Sequence, residues 1–257
     1  MTLLQIKNLS HYFGGLLAVD NLNEEIREGE LIGLIGPNGA GKTTVFNLIT
    51  GVYRPTQGDI IFQGQSLVGK APHTINALGI SRTFQTIRLW NMMSVLDNVR
   101  IAHHSRIRYN LAEAFLHLPR YRHQEREIEE RSMELLRLFR LDRYAHEPVK
   151  NLPYGEQRRV EIVRALASQP RLLLLDEPAA GMNPREIGAL MEFIHWIRDE
   201  FHLTIWLIEH QMRLVMNICE RIKVLDFGAT IADGTPEEVR SNPRVIEAYL
   251  GEQAEVH

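Results

Sequence analysis

A glycine-rich run at residues 36–44, which reads Gly-Pro-Asn-Gly-Ala-Gly-Lys-Thr-Thr, constrains the fold of this chain more than any other segment. It matches the phosphate-loop pattern G-x-x-x-x-G-K-S/T. An apolar stretch, Leu31–Ile35, precedes it. A helix-compatible stretch, residues 42–50, follows it, with Gly51 as the expected C-terminal stop. This order predicts a strand, a phosphate-binding turn and a helix, which is the context that the pattern requires.

The loop has the residue types that a polyphosphate needs. Glycines let the backbone curl so that several N–H groups converge on one anion, and the start of the helix adds its positive dipole end. We expect Lys42 to reach the β- and γ-phosphates and the Thr43 hydroxyl to ligate Mg²⁺. The nucleotide-binding residues predicted on this loop are Gly36, Asn38, Gly39, Ala40, Gly41, Lys42, Thr43 and Thr44.

A second polar site follows the apolar residues 172–175, which run directly into Asp176, Glu177 and Pro178. In a parallel sheet the carboxyl ends of the strands form the edge where ligands bind. We expect Asp176 to hold Mg²⁺ and Glu177 to polarise the water that attacks the γ-phosphate. A strand end with two merely solvated acids is the alternative, and it has little weight beside a phosphate loop.

The remaining pattern predicts an α/β chain. Apolar strand candidates at residues 172–175, 204–208 and 222–225 alternate with helical stretches, which indicates a parallel sheet buried on both faces. Residues 3–9 and 58–62 indicate a shorter antiparallel side sheet. From residue 95 to 141 no strand is evident, and residues 120–140 have the pattern of an amphipathic helix.

Composition excludes several classes of protein. The net charge of −3 provides no basic field for nucleic acid. The single cysteine, Cys219, cannot form a disulfide within the chain and is expected to pack in a core. Neither a signal peptide nor an apolar window of 18 residues is found in the 257 residues. If the chain serves in transport, other chains must form the pore.

Further features, in sequence order, make the chain similar to the ATP-binding cassette (ABC) ATPases rather than to kinases or GTPases. A kinase would need an acceptor-substrate lid and has no use for the segment before the acidic strand, and no Asn-Lys-x-Asp guanine-reading loop is found. The features are Phe13 at the place of the adenine-stacking aromatic (with Tyr12 less favoured), Gln85 of the glutamine loop, residues 152–158 (Leu-Pro-Tyr-Gly-Glu-Gln-Arg) of the signature, residues 181–184 (Gly-Met-Asn-Pro) of the D-loop, and His210 of the switch.

The resemblance implies a fold class and a role for each site residue. The fold is that of a P-loop NTPase, with a RecA-like parallel core, an antiparallel side sheet and an inserted helical subdomain. We expect the helical subdomain at about residues 86–160, inserted between 1–85 and 161–235 of the α/β core, with a helical extension at 236–257 that begins at a Thr235 cap. The resemblance implies that Glu177, His210 and Lys42 are the catalytic residues. It also implies that Gln85 contacts both the nucleotide and Mg²⁺.

The family binds ATP between two cassettes that face each other head to tail, so the signature of one chain completes the site of the other. Gly155 and Glu156 keep N–H groups at a helix N-terminus for this purpose. Pro153 stands where the family has Ser, Tyr154 where it has the first Gly, and Asn183 where the D-loop has Asp. These departures concern the part of the site that the second chain would use, and we expect the two composite sites to differ in activity.

The segments that contain these departures, together with three others, resemble one subfamily, the first ATPase subunit (Liv G type) of bacterial high-affinity branched-chain amino acid importers. The segments are residues 151–159 (Asn-Leu-Pro-Tyr-Gly-Glu-Gln-Arg-Arg), 177–184 (Glu-Pro-Ala-Ala-Gly-Met-Asn-Pro), 81–85 (Ser-Arg-Thr-Phe-Gln), 87–90 (Ile-Arg-Leu-Trp) and 247–251 (Glu-Ala-Tyr-Leu-Gly). That family implies ATP and Mg²⁺, two membrane permease subunits, a second ATPase subunit in a heterodimer, an indirect solute-binding protein and no nucleic acid. It also implies a peripheral position on the cytoplasmic face of the bacterial inner membrane. The alternatives are a soluble ABC ATPase that acts on ribosomes or DNA, against which the single cassette argues, and a non-hydrolytic nucleotide sensor, against which Glu177 argues. Whether the isolated chain forms a homodimer is left open.

Overall fold

The computed structural model describes residues 1–107 and 109–254, which divide into two compact units. The first unit, an α/β unit, consists of Met1–Ile75 and the described residues from Arg171 onward, and the second is a helical unit, Asn76–Pro170. The helical unit is wider than the predicted residues 86–160. It extends past residue 160 because one helix, Tyr154–Ala167, runs without a break across that position.

The elements follow each other in this order along the chain. The first part contains β1 (Thr2–Phe13), β2 (Leu16–Arg27), β3 (Leu31–Ile35), α1 (Lys42–Ile49), β4 (Gln57–Phe62), β5 (Gln65–Ser66) and α2 (Pro72–Leu78). The middle contains β6 (Ile80–Arg82), α3 (Val95–Ala102), α4 (Leu111–Phe115), α5 (Pro119–Leu138) and α6 (Tyr154–Ala167), with 3₁₀ turns at His103–Arg106, Asp142–Tyr144 and Val149–Asn151. The last part contains β7 (Leu172–Asp176), α7 (Pro184–Glu200), β8 (Thr204–Ile208), α8 (Met212–Ile218), β9 (Arg221–Asp226), β10 (Ala229–Gly234), α9 (Pro236–Ser241) and α10 (Pro243–Ala254).

The larger sheet of the α/β unit has the strand order β10-β9-β3-β8-β7. Strand β3 pairs in parallel with both β8 and β9, and β7 pairs in parallel with β8. Every residue of β3, β7 and β8 is buried, so these strands are covered on both faces, as their continuous apolar sequences predicted. The carboxyl ends of β3, β7 and β8 therefore meet at one edge of the sheet.

The side sheet has the order β2-β1-β4-β5 and is antiparallel, which confirms the α/β class with a separate antiparallel sheet. Sequence analysis predicted segments of β1 and β4 but not β2. In β2 only residues 16–19 are a continuous apolar run, and from residue 20 onward most positions are acidic or amide residues, so the run marks only the first third of the strand. Its pairing with β1 over most of its length is what holds it.

Two aromatic rings fix the first helix to the sheet. Phe46 of α1 and Trp206 of β8 are fully buried, and their rings meet edge to face with centroids 5.6 Å apart. Burial of a side chain such as Phe46 stabilises the fold by about 1.5–3 kcal/mol. This packing holds the N-terminus of α1, and the turn before it, against the carboxyl edge of the sheet.

An ion network joins β2 to β9 and β10, with Glu24 and Lys223 buried and Arg221 and Asp233 reaching solvent. The carboxylate of Glu24 lies 2.8 Å from Arg221 and 3.3 Å from Lys223, and Asp233 lies 2.6 Å from Lys223 and 3.0 Å from Arg221. Burial raises the pKa of Glu24 in spite of these cations. Burial would raise the pKa of Asp233 as well, but the hydrogen bonds and charges of Lys223 and Arg221 outweigh burial and lower it.

The helical unit contains the predicted amphipathic helix as α5, which buries Ile128, Ser132 and Leu136 along one stripe. Within the same unit Arg158 of α6 is fully buried, forms an ion pair with Glu161 at 2.7 Å and donates to the carbonyl of Phe84 at 2.5 Å. None of the helices in the described residues is long and apolar enough to cross a membrane.

Candidate nucleotide site

The phosphate loop connects the buried end of β3 to the start of α1, and two glycines make the connection possible. A Cβ atom at Gly36 would lie 2.1 Å from the carbonyl oxygen of Leu225, and one at Gly41 would lie 2.3 Å from the carbonyl oxygen of Ala18. Gly41 also has φ of 98°, in the region that favours glycine. The loop therefore approaches neighbouring backbone too closely for any side chain at these two positions.

The side chain of Lys42 lies inside the curve of this loop. It is buried, and its Nζ donates to the carbonyl oxygens of Gly36 at 2.6 Å and Pro37 at 2.8 Å. These bonds place an ammonium charge at the centre of the loop, beside the N-terminal end of α1. Positive charge from both the side chain and the helix dipole makes the loop a site for anionic groups.

The remaining loop residues differ in how far they reach solvent. Asn38, Gly39 and Thr43 are exposed, Gly41 and Thr44 are partly exposed, and Ala40 is buried. The N–H of Ala40 donates to Pro37 at 3.2 Å, so it stabilises the turn. The accessible Thr43 hydroxyl stands at the first turn of α1, where the sequence motif places a metal ligand.

Two acidic residues end β7 with different surroundings. Asp176 is 3% exposed and pairs in register with Ile208 of β8, so its carboxylate is held at the carboxyl edge of the sheet. Glu177, the next residue, has φ of 47°, and its N–H donates to the carbonyl of Ile208 at 2.9 Å. A left-handed backbone costs a residue other than glycine about 1–2 kcal/mol. This bend ends the strand direction of β7 directly after Asp176.

His210 lies beside Glu177. Its Nδ1 is 3.7 Å from Oε2 of Glu177, and the imidazole is half exposed. Both follow neighbouring parallel strands, β7 and β8, which is why residues 33 positions apart in sequence meet. The structure thus brings Glu177 and His210 together in one unit with the phosphate loop and Asp176.

Glu209 is a residue of this site that the sequence analysis missed. It is fully buried, and Oε1 accepts from the N–H of Ala179 at 2.8 Å. Its Oε2 accepts from the N–H groups of His210 at 3.1 Å and Gln211 at 3.2 Å. Burial raises the pKa of Glu209, although the three N–H groups and His210 act in the opposite direction. An apolar strand that ends in Glu-His, like one that ends in Asp-Glu, was the signal that could have found it.

Phe13 ends β1, and its ring is fixed by two aromatic neighbours. Its centroid lies 4.6 Å from that of His11 and 5.2 Å from that of Tyr53, both edge to face. Neither ring nitrogen of the buried His11 has a hydrogen-bond partner among the described residues, so His11 acts here as an apolar support. Phe13 and Tyr12 are about equally exposed, at 42% and 43%. The two residues therefore differ in the aromatic contacts of the Phe13 ring and not in their exposure.

The other predicted nucleotide contacts lie on the helical unit. Gln85 is exposed on the segment after β6. Pro153 is the N-cap of α6, and its carbonyl accepts from the N–H of Glu156 at 3.0 Å, so that N–H is already used within the helix. A Cβ at Gly155 would have no heavy atom within 4 Å, and Tyr154 is 54% exposed. The first turn of α6 therefore presents an open surface.

Asn183 has a structural role in the D-loop segment. Its Oδ1 accepts from the N–H groups of Arg185 at 3.0 Å and Glu186 at 3.1 Å, and Glu186 accepts from the N–H of Asn183 at 2.8 Å. This capping box begins α7. Since Asn accepts through the same atom as Asp, the exchange of Asp for Asn preserves the start of the helix.

The chain is similar to known proteins over most of its length. The ABC transporter family profile matches residues 19–180, and that of branched-chain amino acid ATP-binding cassette transporters matches residues 229–255. The chain is 47% identical to the high-affinity branched-chain amino acid transport ATP-binding protein LivG of Salmonella typhimurium, over 97% of this chain and 98% of that protein.

Solved structures show the same fold. A nucleotide-free ATP-binding cassette from an ABC transporter matches with a TM-score of 0.84 and 30% identity, over 97% of this chain and 99% of that one. A dimeric ATP-binding cassette in a post-hydrolysis state, bound to ADP and Pi, matches with a TM-score of 0.75 and 25% identity, over 91% and 98% of the two chains. The chain belongs to the ABC transporter family and is an ATP-binding cassette ATPase related to the branched-chain amino acid transport ATP-binding proteins.

Proposed function

We propose that this chain is the ATP-hydrolysing motor of an importer of branched-chain amino acids, acting on separate membrane permeases. The observation that carries the chemistry is the convergence of Lys42, Asp176, Glu177 and His210 at one edge of a parallel sheet. The solute class is supported by the 47% identity to a branched-chain amino acid transport ATP-binding protein.

Each residue has a distinct task toward ATP. Lys42 and the N–H groups of the phosphate loop bind the β- and γ-phosphates, while Phe13 stacks on the adenine and Gln85 contacts the γ-phosphate side. Glu177 accepts a proton from the attacking water, and His210, 3.7 Å from Glu177, stabilises charge on the γ-phosphate. Glu177 and His210 would act from positions that already lie beside each other in the α/β unit.

The site also fits Mg²⁺. The hydroxyl of Thr43, the carboxylate of Asp176 and the amide oxygen of Gln85 would hold it, and oxygen ligands are those that this ion prefers. The ion would neutralise charge on the β- and γ-phosphates. Of the two ligands in the α/β unit, Asp176 is fixed by its register with Ile208, and Thr43 is exposed at the start of α1.

We further propose that two cassettes form the complete sites, with the start of α6 at Gly155 of one chain facing the nucleotide of the other. The N–H of Glu156 already donates to the carbonyl of Pro153, so Glu156 would contribute through its position in the first turn and not through that N–H. The open surface at Gly155 and the exposed Tyr154 support this, as does the similar cassette that was solved as a dimer. The complex would contain a second, different ATPase subunit, two permeases and, indirectly, a solute-binding protein. This chain would then lie peripherally on the cytoplasmic face of the inner membrane.

The test of the chemistry is Glu177→Gln in the transporter co-purified with its membrane subunits. We expect ATP binding to remain and turnover to fall by about 10²–10⁴-fold, because an amide cannot act as the base. Lys42→Ala should instead weaken ATP binding. Glu192→Gln, on the exposed side of α7, is the matched control and should leave both unchanged. Turnover near that of the wild type in Glu177→Gln would remove this residue from the role.

The transport function has its own test. The chain should co-purify with permease subunits, and vesicles that contain the complex should take up leucine, isoleucine or valine in an ATP-dependent manner. Purification of an active ATPase that binds no membrane subunit would favour a soluble ABC ATPase instead. Uptake of a different class of solute would leave the motor function intact and contradict only the solute.

A further inference from the structure

Glu209 lies between the two loops that carry the residues proposed for hydrolysis. On one side its Oε1 accepts from the N–H of Ala179, two residues after Glu177. On the other side its Oε2 accepts from the N–H of His210. The side chain therefore joins the segment after β7 to the segment after β8, beyond the point where the strands themselves stop pairing at Asp176 and Ile208.

Burying a charged carboxylate costs free energy unless other groups bond to it, so the partners of Glu209 matter. Glu209 is fully buried, and among the described residues it forms no ion pair with Lys or Arg. Its partners are three backbone N–H groups, and His210 is the neighbouring group that can carry a positive charge. A buried acid whose partners are all backbone groups of two site loops acts on the geometry of those loops.

The backbone at Glu177 needs such support. Its φ of 47° is unfavourable for a side chain, and a strained residue keeps its conformation only where neighbouring contacts fix it. Hydrogen bonds on both sides of Glu177 fix this bend, and within it the N–H of Ala180 donates to the carbonyl of Glu177 at 3.2 Å. The N–H of Glu177 donates to Ile208 at 2.9 Å, and the N–H of Ala179 donates to Glu209 at 2.8 Å. Pro178, between them, has no N–H to contribute.

We propose that Glu209 is a positioning residue that holds Glu177 and His210 in one rigid unit, so that both approach the γ-phosphate together. It does not touch the reacting atoms itself. This inference rests on the proposed function, because it assigns Glu209 a part in the hydrolysis that Glu177 and His210 carry out. A shift of a catalytic group by about 1 Å can lower a rate by about 10²-fold.

The experiment is a double-mutant cycle in the full transporter, with kcat and the ATP dissociation constant measured separately. Glu209→Ala removes all three hydrogen bonds, and Glu209→Gln keeps the size but offers an N–H₂ where one loop needs an acceptor. We expect each to lower kcat by about 10–100-fold with ATP affinity unchanged. In a His210→Ala background the same changes should lower kcat less than about 3-fold, because residues that act as a unit are not additive.

A second buried acid gives the matched control. Glu24 is 5% exposed and its pKa is also raised by burial, but it lies in the ion network of β2, β9 and β10. Glu24→Gln should leave kcat of the folded protein unchanged in both backgrounds. If Glu209→Ala does not fold, the kcat of Glu209→Gln in the two backgrounds tests the proposal by itself.

Three results would overturn the proposal: full kcat in Glu209→Gln, equal fold-losses in the wild-type and His210→Ala backgrounds, or a loss of ATP affinity that accounts for the loss of rate. Failure of the proposed function is a separate outcome. It would be seen as Glu177→Gln with undiminished turnover in the same preparation, whatever Glu209 does.

Discussion

The substitution Gly41→Ala tests the physical basis of the phosphate loop. Gly41 has φ of 98°, and a Cβ there would lie 2.3 Å from the carbonyl oxygen of Ala18. Two costs add at this position: the left-handed backbone, and displacement of α1 or of the strand that carries Ala18. We expect both a loss of stability and a loss of ATP binding, because the N–H groups of the loop move together with the start of α1.

Two other glycines separate these costs. Gly39, in the loop, and Gly64, between β4 and β5, both have φ of 78°, and a Cβ at either would have no heavy atom within 4 Å. A left-handed alanine costs about 1–2 kcal/mol, and its less flexible unfolded chain returns about 0.4–1 kcal/mol. Gly64→Ala should therefore lose about 1 kcal/mol. The close contact at Gly41 adds about 1–3 kcal/mol, the usual cost of overpacking.

The assay is thermal unfolding without nucleotide, followed by titration with ATP. At about 2–4 °C per kcal/mol for a chain of this length, Gly64→Ala should lower Tm by about 2–4 °C and Gly41→Ala by about 5–15 °C. Only Gly39→Ala and Gly41→Ala should weaken ATP binding. The reasoning would be refuted if Gly41→Ala and Gly64→Ala had the same Tm, or if Gly41→Ala bound ATP as tightly as the wild type.

Two further predictions concern the ion network of β2, β9 and β10 and the contact with a permease. Lys223 and Arg221 lower the pKa of Asp233, so its stabilising effect is complete above the unfolded value of about 3.9 and is lost as pH falls through the lower folded value. Asp233→Asn should therefore have a lower Tm than the wild type at pH 7, and the difference in Tm should become smaller below pH 4. A difference in Tm that stays the same over this pH range would contradict the reasoning. Apolar and aromatic side chains follow Gln85, so we expect the segment of residues 85–93 to receive a cytoplasmic helix of the permease. Cysteines at Trp90 and Met92, which are 50% and 75% exposed, should cross-link to a permease. Leu16→Cys is the control, and the native cysteine is 6% exposed. Cross-links only within this chain would argue against docking at this segment.

Continuous patterns in the sequence located the elements that form the main sheet and the phosphate loop. The apolar residues of β3, β7 and β8 predicted buried parallel strands, and the loop predicted the turn and the start of α1. Thr235 and Glu238 predicted the capping box of α9, where the Thr235 hydroxyl accepts from Glu238 at 3.3 Å. These features are local or strictly periodic, so neighbouring residues carry the whole signal.

Other features depend on which residues meet in space, and sequence analysis missed or misplaced them. Strand β2 is apolar only over residues 16–19 and polar at most later positions, and pairing with β1 extends it to Arg27. The helical unit is wider than expected because α6 continues past residue 160. Glu209 looked like an ordinary acid after a strand, and only the fold shows that its carboxylate bonds to Ala179, 30 positions away in sequence.

The sequence by itself determined that the chain carries a phosphate loop, an acidic strand end and the motif order of an ABC ATPase. The tertiary structure decided which groups lie together: it placed His210 beside Glu177, packed the ring of Phe13 against His11, and buried Glu209 between two loops. The physical reason is the parallel sheet, whose register brings distant strand ends to one edge. A motif fixes which side chains are available, but only pairing between strands fixes the distances at which they act.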